Sequence, residues 1–80
     1  MVKMKNQGYE IISKVMVRRT KGVVIGARSN GPERFVCWYL NIENDEPVFR
    51  QGFYSDNIDD VRNEYLTRLK KINNYEFFEG

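Results

Sequence analysis

The middle of the chain carries the run Phe35-Val36-Cys37-Trp38-Tyr39-Leu40-Asn41-Ile42, in which nearly every side chain is apolar. A strand with apolar residues on both faces is typical of the centre of a sheet, where both faces are covered. Turn signals bound this run, with Ser29-Asn30-Gly31-Pro32 before it and Glu43-Asn44-Asp45-Glu46-Pro47 after it. Asn and Gly tolerate a positive φ and Pro cannot continue a ladder, so residues 35–42 are predicted to form a central strand.

Strand-like patterns lie on both sides of this central run. Residues 9–18 alternate between apolar and polar side chains, except that Ser13 interrupts the apolar face and Ile12 and Met16 interrupt the polar face. A short polar connection closed by Gly22 leads into residues 23–28. Residues 48–54 give a fourth strand, in which Gly52 indicates a bulge. The connections are short, so the strands are predicted to pair in chain order and antiparallel.

A helix follows the strands. Apolar residues recur at helical spacing and so share one stripe: Ile58, Val61, Tyr65, Leu69 and Ile72. Leu66 lies beside this stripe. Ser55 or Asp56 is the expected N-cap, because a short side-chain oxygen satisfies the first free amides of a helix. Asn73-Asn74 is predicted to end the helix in the left-handed conformation.

These elements define an α+β fold of type ββββα, an antiparallel four-stranded meander with one C-terminal amphipathic helix packed on one face. The domain organisation is a flexible N-terminal tail at 1–8, a single domain at 9–74 and an aromatic C-terminal tail at 75–80. One helix cannot shield both faces of four strands. We therefore expect an open sheet face that serves as a contact surface.

The chemistry of the chain argues against catalysis, because it has no histidine and a single cysteine. Imidazole bases, Ser-His and Cys-His pairs and histidine-bearing zinc sites are all excluded. Cys37 lies in the central strand and is expected to be an inert core thiol. The clustered acids belong to a turn and a helix start, where solvation and the helix dipole already favour them: Glu43, Asp45, Glu46, Asp56, Asp59 and Asp60. We expect no enzyme activity, no cofactor and no metal.

Nucleic-acid binding is one hypothesis, because the first part of the chain carries an excess of bases and the second part an excess of acids. Six basic residues would follow a phosphate backbone: Lys14, Arg18, Arg19, Lys21, Arg28 and Arg34. The alternative is that this basic region is simply solvated surface, since the sequence has no recognisable RNA- or DNA-binding motif.

Protein–protein contact is the leading hypothesis, with an unknown protein or a second copy of the chain as partner. Aromatic residues dominate binding energy at interfaces. The residues expected to supply it are on the open sheet face and in the tail: Trp38, Tyr39, Tyr75, Phe77 and Phe78. The alternative is that the tail folds back over the sheet, because a small domain needs its apolar residues for its own core.

Localisation follows from what the sequence does not contain. No window reaches the roughly 18 consecutive apolar residues of a membrane span. Residues 1–8 are polar, and no apolar segment of a secretion signal follows them. We expect a soluble cytoplasmic protein with no membrane partner.

Short motifs across about residues 9–69 resemble those of small uncharacterised proteins carried by conjugative elements, plasmids and phages of Firmicutes. The motifs are Tyr9-Glu10-Ile11-Ile12, Val24-Ile25-Gly26, Pro32-x-x-Phe35-Val36-Cys37-Trp38, Gly52-Phe53-Tyr54-Ser55-Asp56 and Leu66-Thr67-Arg68. Where the family usually has Trp-Gly-His-Tyr, this chain has Arg50-Gln51-Gly52-Phe53-Tyr54, so no histidine role carries over. The resemblance implies a mobile-element or prophage setting and an accessory or anti-defence factor that binds a host protein or nucleic acid.

Overall fold

The computed structural model of the chain describes residues 4–79, and the side chains of residues 4–72. Its strands form one antiparallel sheet in the order β1-β2-β3-β4-β5, followed by a helix. The element bounds are β1 Lys5–Asn6, β2 Tyr9–Arg18, β3 Lys21–Ala27, β4 Phe35–Glu43, β5 Glu46–Ser55 and α1 Ile58–Glu79. The α+β class and the antiparallel meander are confirmed, but the sheet has five strands rather than the predicted four.

The additional strand comes from residues that the sequence assigned to a flexible tail. β1 pairs with the start of β2 in the register Asn6 to Tyr9, across a turn made by Gln7 and Gly8. Both turn residues have positive φ, 51° and 84°, and two such residues form the hairpin turn whose twist matches its strands. The tail prediction is therefore wrong for residues 4–8, while residues 1–3 lie outside the described residues.

Two register shifts interrupt the pairing of β2 with β3, one between Ile11 and Ser13 and one between Met16 and Arg18. Each inserts an extra residue into β2 and so reverses which face the following side chains occupy. Ile11 packs on the same face as Tyr9 by ordinary alternation, and Met16 joins them on that face because the first bulge reverses the alternation. The bulges explain why the alternation of residues 9–18 was imperfect in the sequence.

The sheet face away from α1 is closed by the sheet itself. Trp38 lies at its centre, with its ring centroid 5.6 Å from that of Tyr9, 5.3 Å from Phe49 and 6.2 Å from Tyr54. Tyr9 on β2 and Tyr54 on β5 have centroids only 6.0 Å apart, whereas a flat sheet separates such strands by about 14 Å. The strong curl brings them together, and the prediction of an open sheet face is wrong.

The opposite face packs against α1. Val61 and Tyr65 are buried on Val23, Ile25 and Cys37, with the other stripe residues partly buried around them. The predicted apolar stripe of the helix is confirmed. Two separate clusters, one on each face of the sheet, therefore form the core.

Both ends of α1 differ from expectation. Its N-cap is Asn57, whose side-chain oxygen accepts the amide of Asp59 at 2.9 Å, while Ser55 accepts the amide of Asn57 at 3.0 Å. The helix continues to Glu79, so the predicted end at Asn73-Asn74 is wrong. Asn is only a weak stop signal without a following Gly or Pro, and residues 75–79 contain neither.

The close approach of β2 to β3 makes a specific prediction at Gly22. A Cβ there would meet the carbonyl oxygen of Val15 and lie 2.7 Å from the sulfur of Met16. We expect Gly22→Ala to lower the free energy of unfolding by about 1–3 kcal/mol, because the neighbouring backbone cannot move aside cheaply. Chemical denaturation measures the change.

Gly26→Ala is the matched control. Its Cβ would lie 3.0 Å from Val36 and 3.1 Å from both Trp38 and Tyr9, with side-chain atoms as the neighbours. These can shift slightly, so the loss should be smaller than at Gly22. An equal or greater loss in Gly26→Ala would contradict the account of the β2–β3 approach.

Candidate protein-binding edge

Three of the six clustered carboxylates make structural contacts. Asp56 accepts the amide of Arg34 at 3.2 Å, and Asp60 accepts the hydroxyl of Ser55 at 3.3 Å. Glu43 pairs with Arg50 at 3.0 Å on the exposed surface. Among the residues the structure describes, no three His, Cys, Asp or Glu side chains are grouped to hold a metal ion.

Cys37 is fully buried in β4, and burial raises the pKa of its thiol to about 11 against the opposing effect of nearby Arg68. A thiol with such a pKa stays protonated at neutral pH and is a poor nucleophile. This burial matches the placement of Cys37 in a core strand by the sequence.

Arg68 is the residue that sequence reasoning missed. It lies on the buried face of α1 and is 7% exposed. Its guanidinium donates to Glu64 at 2.8 Å and to the carbonyl oxygen of Cys37 at 3.3 Å, and it stacks over the ring of Tyr39 at 4.6 Å. A buried charge needs this degree of pairing, so Arg68 fixes the helix to β4. Its spacing of seven from Val61 was the available signal.

The structure does not bring the six predicted basic residues together. Arg18, Arg19 and Lys21 lie at the β2–β3 turn, whereas Arg28 and Arg34 follow the other end of β3 and precede β4. The length of β3 separates these groups by about 20 Å. Lys14 lies midway along β2, paired with Val24.

Arg28 serves the fold at its own end of the sheet. It stacks over the ring of Tyr9 at 4.7 Å and donates to the carbonyl oxygen of Pro32. The Tyr9 hydroxyl donates to the carbonyl oxygen of Glu33 at 2.6 Å, and burial raises the pKa of that phenol. Arg28 and Tyr9 therefore hold the loop between β3 and β4.

The basic turn has acidic neighbours. The amide of Ile42 donates to the carbonyl oxygen of Thr20 at 2.9 Å, which joins the end of β4 to the β2–β3 turn. The β4–β5 turn that follows carries the acids Glu43, Asp45 and Glu46. A polyanion approaching Arg19 would therefore also meet negative charge.

The aromatic residues predicted to face a partner have other positions. Trp38 is 2% exposed in the core, and Tyr39 is partly buried beneath Arg68. Tyr75, Phe77 and Phe78 lie in α1, but their side chains are outside the described residues. The described chain thus presents neither Trp38 nor an open sheet face to a partner.

The outer edge of β2 is accessible beyond the short strand β1. β1 pairs only with Tyr9 and Glu10, and the amide of Ile11 donates to the carbonyl oxygen of Met4 at 2.9 Å. From residue 12 to residue 17, β2 has no ladder partner on this side among residues 4–79. Unpaired strand edges are templates for another strand.

Exposed apolar side chains accompany this edge. Ile12 and Val15 on β2 are 54% and 41% exposed, and Leu66 on α1 is 54% exposed. The Tyr65 hydroxyl lies 3.3 Å from the Ser13 hydroxyl, which shows that this flank of α1 faces β2. Leu66 lies about 100° further round the helix, on the side away from Arg68. We refer to Ile12, Val15 and Leu66 as the apolar strip.

A recess opens beside Met4, immediately before β1 begins. Its volume is about 250 Å³, and Met4, Ile11, Ile12, Ser13 and Lys14 line it. The recess is large enough for one side chain and has apolar walls on the β1 side. The edge therefore combines free backbone groups with a place for a side chain, the two elements by which an added strand is recognised.

The sequence contained part of this information. Ile12 stood out as an apolar residue on the polar face of the first strand pattern, and Leu66 as an apolar residue beside the helix stripe. What the sequence could not show was that β1 is too short to cover β2. That follows from pairing, which depends on the tertiary structure.

Comparison of the chain with protein-family models, curated proteins and solved structures finds no match. Within the described residues, no helix has the length and apolar character needed to cross a membrane.

Cys37 generates a pH prediction. Its pKa is about 11 in the folded chain against 9.0 for a solvated thiol, so between these values the folded state keeps a proton that the unfolded state loses. The contribution is complete below pH 9 and is lost as pH rises to 11, a decrease of about 3 kcal/mol in unfolding free energy. Denaturant titrations at several pH values measure it.

Cys37→Ala is the control, because it removes the titrating thiol. Its overall stability is lower, but its unfolding free energy should fall less steeply between pH 9 and 11 than that of the parent. Parallel pH curves for the two proteins would contradict a buried, protonated thiol.

Proposed function

We propose that this chain is a small non-enzymatic binding protein that acts by contact with another protein, through the outer edge of β2 and the apolar strip. The observation that carries the proposal is the exposure of Ile12, Val15 and Leu66 beside a strand edge without a ladder partner among residues 4–79. Aliphatic side chains so exposed in a small domain with two buried clusters are surplus to its core.

The partner in this proposal is a different protein rather than a second copy. Antiparallel pairing of two β2 edges centred on Lys14, near the middle of the free residues 12–17, would place Lys14 of one copy directly opposite Lys14 of the other. Like charges directly across a strand pair are destabilising. The accessory or anti-defence role in a mobile element or phage, in the cytoplasm, belongs to the same proposal and is supported by the family resemblance alone.

Affinity capture from lysate of the encoding organism, with and without nuclease, tests the proposal. The double variant Ile12→Ser/Leu66→Ser should lose at least about nine-tenths of an identified partner, since each exposed aliphatic contact contributes about 1 kcal/mol or more when buried. Phe53→Ser is the matched control, because Phe53 is also exposed, at 37%, but lies on β5. Equal capture by both variants, or loss of capture with nuclease, would overturn the proposal.

Nucleic-acid binding is the alternative function, and the exposed residues Arg19 and Lys21 at the β2–β3 turn favour it. In this case Arg19→Glu/Lys21→Glu should abolish binding of labelled single-stranded RNA at 50 mM salt, and the parent's affinity should fall steeply with added salt. Arg34→Glu, at the other end of β3, is the control. Fluorescence anisotropy measures the affinity of the parent and both variants for the labelled nucleic acid. A parent that binds neither RNA nor DNA at low salt would exclude this alternative.

A further inference from the structure

We propose that the β2 edge recognises an acidic, extended segment of its partner, which adds to the sheet as an antiparallel strand beside residues 13–16. This inference rests on the proposed function and specifies the mode of contact and the chemistry of the partner. Addition of a strand uses backbone hydrogen bonds for affinity and side-chain recesses for specificity.

The backbone of β2 presents the required groups. The carbonyl oxygen of Val15 points toward Gly22, which places the polar backbone groups of Val15 in the ladder with β3. Backbone groups alternate in direction along an antiparallel strand, so those of Lys14 and Met16 point to the open edge. The regular pairing of Ser13, Lys14, Val15 and Met16 with β3 holds these groups in line.

The two bulges set the length of the added strand. They lie immediately before Ser13 and after Met16, and each interrupts the alternation of the backbone groups, so the regular run of edge-facing groups is limited to the residues between them. A partner strand of about four or five residues is accommodated, and extended aggregation along the edge is discouraged. The edge is therefore suited to one short segment.

Charge identifies the chemistry of that segment. Exposed Lys14 accompanies the edge on the sheet, and exposed Arg62 and Lys70 lie on α1. Asp59 is the exposed acid on the same flank of the helix, and Glu10 is partly buried near β1. The surroundings are basic overall, so acidic side chains on the added strand increase the association rate and select the partner.

The apolar positions of the segment have places to bind. The recess beside Met4 and Ile11 lies at one end of the free edge, and Val15 and Leu66 lie further along it. Successive side chains of a strand point to opposite faces, so an added strand contacts these features with alternate residues. The expected sequence alternates apolar and acidic residues.

Selection from a random peptide library by mRNA display, with the full chain as bait, tests this inference. We expect enriched peptides with alternating apolar and acidic residues. The synthetic peptides should protect the amides of Lys14 and Met16 from hydrogen exchange in NMR spectra, while the amide of Val15 is protected with or without peptide. Enrichment of basic or helical peptides, no enrichment at all, or protection along β5 instead would overturn the inference.

Backbone N-methylation of the peptide provides a second readout. Methylation of alternate amides that face β2 should weaken binding by about tenfold each, because each removes a backbone hydrogen bond and adds a clash. The intervening amides should tolerate it. Lys14→Glu should weaken binding by a similar factor, and the distant control Arg34→Glu should not. Tolerance of methylation at every position would overturn the added-strand mode.

These outcomes separate the inference from the proposed function. A captured partner whose binding segment tolerates N-methylation at all positions leaves protein binding standing and removes the added strand. If acidic peptides bind the edge but no partner is captured from lysate, the added-strand mode stands and the proposed function fails. Protection of Lys14 and Met16 in a dimer of the free chain would show a second copy on the edge and overturn the inference.

Discussion

The aromatic contacts of Trp38 are the interaction on which the rest of the structure depends. Trp38 lies in the central strand and meets Tyr9 from β2 together with Phe49 and Tyr54 from β5. Edge-to-face and tilted aromatic pairs contribute about 0.5–1.5 kcal/mol each beyond the burial of their surface. These contacts require the sheet to curl, and the curl allows a chain of 80 residues to bury both faces of its sheet with a single helix.

Closure of the sheet determines which surfaces remain accessible to the proposed partner. Both sheet faces are occupied, one by the aromatic cluster and the other by α1. Binding is therefore expected at an edge rather than on a face. The edge of β5 carries the exposed aromatic residues Phe53 and Tyr54, whereas the edge of β2 combines the aliphatic residues of the apolar strip with the recess beside Met4 and with basic side chains.

Local patterns predicted most of the fold. The central strand at 35–42, the β2–β3 turn, the bulge near Gly52 and the helix stripe were correct, because periodicity and turn chemistry act over a few residues. The short strand β1, the curl around Trp38 and the position of Arg68 were missed. Each depends on pairing or packing between distant segments, which local patterns do not contain.

The candidate site was predicted less well than the fold. Aromatic content led to Trp38 as an interface residue, yet the same aromatic character closes the core. The basic residues were grouped by sequence, although β3 places Arg28 and Lys21 at opposite ends. Ile12 and Leu66 were visible as exceptions to their patterns, but their exposure depends on how little of β2 is covered by β1.

The most direct test of the closed sheet is the fluorescence of Trp38, the single tryptophan of the chain. The account predicts blue-shifted emission and almost no quenching by iodide, both independent of protein concentration, until denaturant unfolds the chain. Emission like that of free tryptophan with strong iodide quenching, or protection that disappears on dilution, would show that the chain does not close this face by itself.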